Sequence, residues 1–286
     1  FQAEDGIRDR SPSRGLGDVY KRQVQESSMQ YRRVLTFVSI IAITATLACN
    51  SRADVPPVSV VPESGATGGG GGGTTGTSSV NGMVTIEGPA PMAETIRMNS
   101  DPVCVKEATM TDTEYYIVGG DNGLGNVFVY VKEGISGTYP SPSETLILDQ
   151  AGCRYDPHVF GLQVGQTVQI VNSDPTLHNI HATPAVNPEF NTGQPIQGMT
   201  LDRTFDQPEV MLPFKCDVHG WMNAYVGVLP HPFFDTTAGA GTFDISNLPA
   251  GDYVLEAWHE MLGTQTQNVT VADGETAEVT FTFSVG

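Results

Sequence analysis

The sequence predicts an all-β chain folded as two small β-sandwiches, and three observations carry that expectation. Short β-branched or alternating runs recur at Gly82–Ile86, Asn126–Val131, Thr167–Val171, Ala224–Val228, Thr242–Ile245, Tyr253–Trp258 and Glu278–Phe283. Gly, Pro, Asn and Asp punctuate them at regular spacing, as in sandwiches and barrels and unlike strand–helix alternation. No stretch sustains the 3.6-residue apolar period of an amphipathic helix.

These runs follow a long front end. Residues 1–28 show no apolar periodicity, and through Gln23 they read as translated adapter sequence, outside fold reasoning. Residues 29–48 have the layout of a bacterial export signal: Met29, then Arg32 and Arg33, then an apolar run from Val34 to Ala48. That run, about 15 residues, falls short of the roughly 20 that span a bilayer. Thr46-Leu47-Ala48-Cys49 resembles the lipobox of bacterial lipoproteins, with Thr46 where Leu is usual. The resemblance implies acylation of Cys49, and Asn50 in place of Asp implies an outer-membrane anchor. The expected location is the periplasm or cell envelope, with membrane attachment through the lipid. An uncleaved N-terminal anchor leaves the same topology. Residues 49–79, rich in Pro, Gly, Ser and Thr with six glycines at Gly68–Gly73, predict a flexible linker.

Residues 1–48 hold seven Lys/Arg and five Asp/Glu, so the rest of the chain carries 7 basic against 27 acidic residues. A net charge near −20 argues against nucleic acid and anionic headgroups as partners and favours basic ones. It also serves simply for solubility.

Two modules follow the linker. Residues 231–286 contain Gly241-Thr242-Phe243-Asp244-Ile245-Ser246-Asn247-Leu248-Pro249-Ala250-Gly251-Asp252-Tyr253. This G-x-F-x-I-x-x-L-P-x-G-x-Y pattern resembles the carboxypeptidase regulatory-like domain, a small transthyretin-type sandwich. About 55 residues make a thin core alone, so strands within residues 80–144 are expected to complete it. Whether residues 145–230 are inserted between its halves or stand in tandem is left open by the sequence.

Residues 145–230 carry the candidate chemistry. Cys216-Asp217-Val218-His219-Gly220-Trp221-Met222 places a thiolate, an imidazole and a thioether in one tight turn, a donor set that suits copper cycling between oxidation states. A second imidazole comes from Asn172-Ser173-Asp174-Pro175-Thr176-Leu177-His178-Asn179-Ile180-His181. Core packing alone needs no His at both 178 and 219, and zinc gains little from a thioether.

Phe160–Asn172, read as two strands around a Gly-containing turn, followed by His178-Asn179 and Cys216-x2-His219-x2-Met222, resembles the cupredoxins, more closely amicyanin than plastocyanin. The resemblance implies a Greek-key β-sandwich over about 85 residues, with one mononuclear copper site. His178, Cys216 and His219 would be its strong ligands and Met222 its weak axial one. Asn179 would tie the two ligand segments together. It also implies an electron exit at the edge of His219, ringed by Gly220, Trp221 and Pro184. Gly220 stands where amicyanin-like loops often have Pro, which leaves loop rigidity open.

With Cys49 lipidated and Cys216 kept for metal, Cys104 and Cys153 remain for a disulfide in an oxidising compartment, or stay as buried thiols. His181, three residues after His178, should face the other side of its strand. His158 reads as a loop residue, and His231, His259 and Glu260 form a weak alternative cluster. Cys216 is the one available thiolate of the module, so a binuclear thiolate-bridged centre is excluded. The absence of His-x-His and His-Cys-His patterns excludes a trinuclear cluster, and hydrolase and phosphate-binding motifs are missing. The expectation is a non-enzymatic one-electron carrier whose partner is a c-type cytochrome or a membrane oxidoreductase. Two alternatives are copper capture and delivery, and a carbohydrate- or protein-binding sandwich with a structural metal.

Overall fold

Alternation of apolar and polar residues makes β1 (Ser78–Glu87) a strand: Val80, Val84 and Ile86 are buried while Glu87 is exposed. The computed structural model describes residues 72–285, so the export signal, Cys49 and the linker through residue 71 lie outside the described residues. Ser78 and Ser79, expected in the linker, belong to β1, because their backbone pairs with later strands.

After β1 a connector carries the short helix α1 (Pro102–Glu107) to β2 (Phe128–Glu133). Asp101 caps α1, accepting a hydrogen bond from Val103 N, and Pro102 occupies the first turn where no donor is needed. Nine strands follow: β3 (Leu146–Gln150), β4 (Tyr155–Asp156), β5 (Val159–Gln163), β6 (Val168–Asn172), β7 (His178–Ala182), β8 (Phe190–Gln194), β9 (Thr200–Arg203), β10 (Glu209–Lys215) and β11 (Asn223–Leu229). The last five are β12 (Phe234–Thr236), β13 (Thr242–Leu248), β14 (Gly251–His259), β15 (Gly263–Val271) and β16 (Thr276–Ser284). The fold is all-β apart from α1 and one 3₁₀ turn among the described residues. Among the described residues, no helix is long and apolar enough to cross a membrane.

Four sheets make two sandwiches. Sheets β13-β1-β16 and β12-β2-β14-β15 share a core that includes Val84, Val129, Phe243, Leu255 and Phe281. Sheets β5-β11-β10-β7-β8 and β4-β3-β6-β9 share another, with Leu148, Leu162, Ile170, Phe214 and Val226. The strands of the second pair of sheets fall, in sequence, wholly between β2 and β12. These two strands are antiparallel neighbours, with Tyr130 opposite Phe234, so the chain leaves and re-enters the first sandwich at one place.

The described residues form one compact unit, and the reason is visible in β2. Phe128, Val129, Tyr130 and Val131 are all buried. Val129 and Val131 point into their own sandwich, whereas Phe128 and Tyr130 meet Val159, Met211 and Leu229 of the other. Gly161 of β5 and Gly227 of β11 lie side by side in a parallel pair. A Cβ on Gly227 would come within 2.4 Å of the Phe128 ring, and one on Gly161 within 2.3 Å of Phe234. Missing side chains at these two positions thus make the seat for two aromatic rings.

The connector between β1 and β2 makes further ties. Met98 is buried in the core of the inserted sandwich, with Ile96 and Ala108 packed against it. Glu114 pairs with Arg154 Nη1 at 2.6 Å, and Cys104 is disulfide-bonded to Cys153.

Candidate metal centre

The β10–β11 hairpin shapes the first half of the site. Lys215 pairs with Asn223, so residues 216–222 form a tight loop, closed by hydrogen bonds from Cys216 N to Met222 O (3.0 Å) and from Met222 N to His219 O (2.9 Å). Strand β7 supplies the second half: it pairs with β10 through Lys215 opposite His181, which sets its first residue, His178, beside the loop. His178, Cys216, His219 and Met222 are each 2% exposed or less. Donor atoms of His178, Cys216 and His219 all lie within 4.8 Å of one another. The two Nδ1 atoms are 2.9 Å apart, and Cys216 Sγ is 4.0 Å from His219 Nδ1. The Met222 side chain joins the surrounding core.

Each imidazole is oriented by a carboxylate on its other nitrogen. His178 Nε2 lies 2.9 Å from Asp174 Oδ2, and His219 Nε2 lies 3.1 Å from Asp101 Oδ2. A neutral imidazole that donates through Nε2 keeps its lone pair on Nδ1, so both lone pairs face the same buried space. Gly152 N and Cys153 N hold Asp174 at 2.8 and 2.7 Å. Val103 N and the Thr176 hydroxyl hold Asp101 at 2.8 and 2.6 Å. Burial works against ionisation of both carboxyls, but these hydrogen bonds and the histidines leave both below the usual carboxylate range.

Burial likewise opposes a Cys216 thiolate. With protons on the inward nitrogens in place of an ion, hydrogen bonds from His178 and His219 outweigh it and bring the thiol down to about 6. His178 moves in the complementary direction: burial lowers it, yet Asp174 and Cys216 hold it above its ordinary value. A pocket with a thiolate and two inward lone pairs calls for a positive occupant, and the raised His178 expresses that demand toward a proton.

Asn179 binds the two halves together. Its Oδ1 accepts from Asp217 N at 2.8 Å and Val218 N at 3.3 Å and sits 3.3 Å from Cys216 Sγ. Its carbonyl accepts from the Tyr155 hydroxyl at 2.5 Å. The loop is steadied by His219 N donating to Cys216 Sγ (3.3 Å) and by Trp221 Nε1 donating to Cys153 O (3.0 Å).

One expectation needs correction. His219 does not present an open edge, because Asp101 and Cys104, whose Sγ is 3.7 Å from Nε2, cover it. The connector that brings them is remote in sequence, so no spacing near the loop announced it. His181 faces away from the pocket, 2.8 Å from Asp217 and 2.9 Å from Glu189. His158 is buried, and its Nε2 meets Glu260 at 2.7 Å. His231 and His259 belong to none of the convergent donor groups among the described residues. Cys104 and Cys153 are joined to each other, and Cys216 is the free cysteine among the described residues. Sequence reasoning missed Asp101 and Asp174 as carboxylate partners. Asp174 had a local signal, standing four residues before His178, whereas Asp101 lies far in sequence from both ligand segments.

No protein-family model and no curated protein matches the chain. Solved structures that resemble it include a Cu(I)-form variant of amicyanin, at TM-score 0.27 and 23% identity, covering 29% of this chain and 81% of that one. A second amicyanin variant, a reduced Cu(I) form at pH 4, matches at TM-score 0.27 and 24% identity over 30% of this chain and 84% of its own. The Cu-containing nitrite reductase from Thermus scotoductus SA-01 matches at TM-score 0.28 and 24% identity over 36% of this chain and 25% of its own.

Proposed function

We propose that His178, Cys216, His219 and Met222 hold a single copper ion, and that the chain carries single electrons in the cell envelope. The observation that bears most weight is the convergence of two inward Nδ1 atoms and the Cys216 sulfur in a buried pocket whose outward nitrogens already have carboxylate partners. The donor set selects among metals: thiolate and imidazole suit zinc and copper alike, but a thioether at Met222 favours copper. Copper, when bound, supplies a one-electron couple. The chain's own part is to keep Cys216 as thiolate, hold both rings by Asp174 and Asp101, and exclude water. The resemblance of the Cys216–Met222 loop to cupredoxins supports the same reading.

Closure of the pocket bears on the alternatives. Catalytic metal sites keep an open coordination position, and a site whose candidate ligands are at most 2% exposed suits a carrier better than an enzyme. The same closure favours retention of the ion over delivery to an acceptor. The Cys104–Cys153 disulfide supports export, since such bonds persist in oxidising compartments. A lipid at Cys49 would place the carrier at the outer membrane, with a c-type cytochrome or a membrane oxidoreductase as partner.

Optical and electron-spin spectra of the full chain after addition of Cu(II) test the proposal. The wild-type protein should show intense thiolate-to-copper charge transfer, and Cys216→Ser should remove it. A colourless protein that takes up only Cu(I) overturns the assignment.

A further inference from the structure

We propose that Asp101 is a positioning residue of the metal centre, delivered to it from the other sandwich by the connector between β1 and β2. This inference rests on the copper reading above. The two oxygens of Asp101 have separate tasks. Oδ1 caps α1 through Val103 N at 2.8 Å, while Oδ2 meets His219 Nε2 at 3.1 Å and the Thr176 hydroxyl at 2.6 Å.

The helix cap alone does not account for this arrangement. A cap needs one oxygen, and the second is steered onto His219 by a hydroxyl from the segment just before His178. Moreover, the connector is fixed on the inserted sandwich at points flanking Asp101, by Met98 in the core and by the Cys104–Cys153 bond. The result is a carboxylate behind each imidazole. Asp174 is local, four residues from His178, whereas Asp101 lies 118 residues from His219. Partners of this kind fix the ring and its tautomer and raise the basicity of the ligand nitrogen. A negative charge behind His219 also favours the more highly charged state of an ion at Nδ1.

Asp101→Asn separates the two tasks. Asparagine caps helices as well as aspartate does, but with its oxygen on Val103 N it turns an NH2 toward the Nε2–H of His219, donor against donor. Copper affinity of the full chain, measured by chelator competition, should fall about 10- to 100-fold, and the reduction potential should rise. Melting of the metal-free protein should move little, because without an ion His219 can carry its proton on Nδ1 and accept from that NH2 at Nε2. Thr176→Val, which leaves the cap intact and frees Oδ2, should shift affinity and potential in the same directions by less. The inference is overturned if both variants bind copper within about twofold of wild type, against the larger loss expected, with an unchanged potential. If the wild type itself binds no copper, or Cys216→Ser binds it as well as wild type does, the copper reading falls and this inference with it.

Discussion

His158 and Glu260 meet across the seam of the two sandwiches, with Nε2 2.7 Å from Oε1 and both side chains at most 4% exposed. His158 precedes β5 of the inserted sandwich and Glu260 follows β14 of the other. Burial by itself lowers the pKa of His158; the hydrogen bond and charge of Glu260, with Glu114 further off, outweigh it and leave the imidazole above its ordinary 6.5. His259 lies close by and is held neutral by burial, its pKa lowered to about 4. A raised folded-state pKa contributes stability that is complete below the unfolded value and is lost as pH rises through the folded one. Glu260→Gln should therefore cost most near pH 5.5, about 1.5–3 kcal/mol for a charge-assisted bond, and progressively less toward pH 9. Melting curves of wild type and variant across that range check this; a cost that grows with pH contradicts it.

Gly227 leaves no room for a side chain beneath Phe128. Gly227→Ala should destabilise the protein by about 1–3 kcal/mol through overpacking. Replacing Phe128 by Leu in the same chain should recover part of that loss. Denaturant melts of the single and double variants measure the coupling.

Asn179→Ala removes the acceptor for Asp217 N and Val218 N. Donors left unpaired near a buried site cost about 1–3 kcal/mol, and the Cys216–Met222 loop should loosen with them. Faster copper loss to a chelator is expected, by roughly 10-fold, together with faster amide exchange confined to residues 216–222.

Met222→Leu is close to volume-conserving in a buried position and should cost less than about 1.5 kcal/mol. On the proposed copper reading the thiolate-to-copper colour should persist, because the thiolate and both imidazoles remain while the thioether is lost, and the potential should rise. Redox titration checks the direction; an unchanged potential removes Met222 from the ligand set.

What was legible in the sequence is what lay close together in it. Cys216, His219 and Met222 sit within one hairpin loop, and the structure brings them beside His178 because β7 and β10 are neighbouring strands. Asp101 was invisible as a partner of His219, since no local pattern reports a contact spanning 118 residues; the same holds for His158 and Glu260, 102 apart. Among the strands, β15 escaped for another reason. Its Gly263-Thr264-Gln265-Thr266-Gln267-Asn268-Val269-Thr270-Val271 buries only Val271, and backbone pairing along the whole of β14 holds it in place. Hydrophobic alternation is silent about an edge strand of that kind. The six-residue α1 is likewise too short to show a period.

The parallel alignment of β1 and β16, running from Ser79 opposite Thr276 to Glu87 opposite Ser284, determines how the protein resists being pulled. Tension applied at the front of β1 and the tail of β16 draws the strands along each other, so their rungs are strained all at once instead of parting one by one. Pulling on these two ends therefore loads the β1–β16 pair in shear, and the candidate metal site, spliced in between β2 and β12, lies outside the line of force.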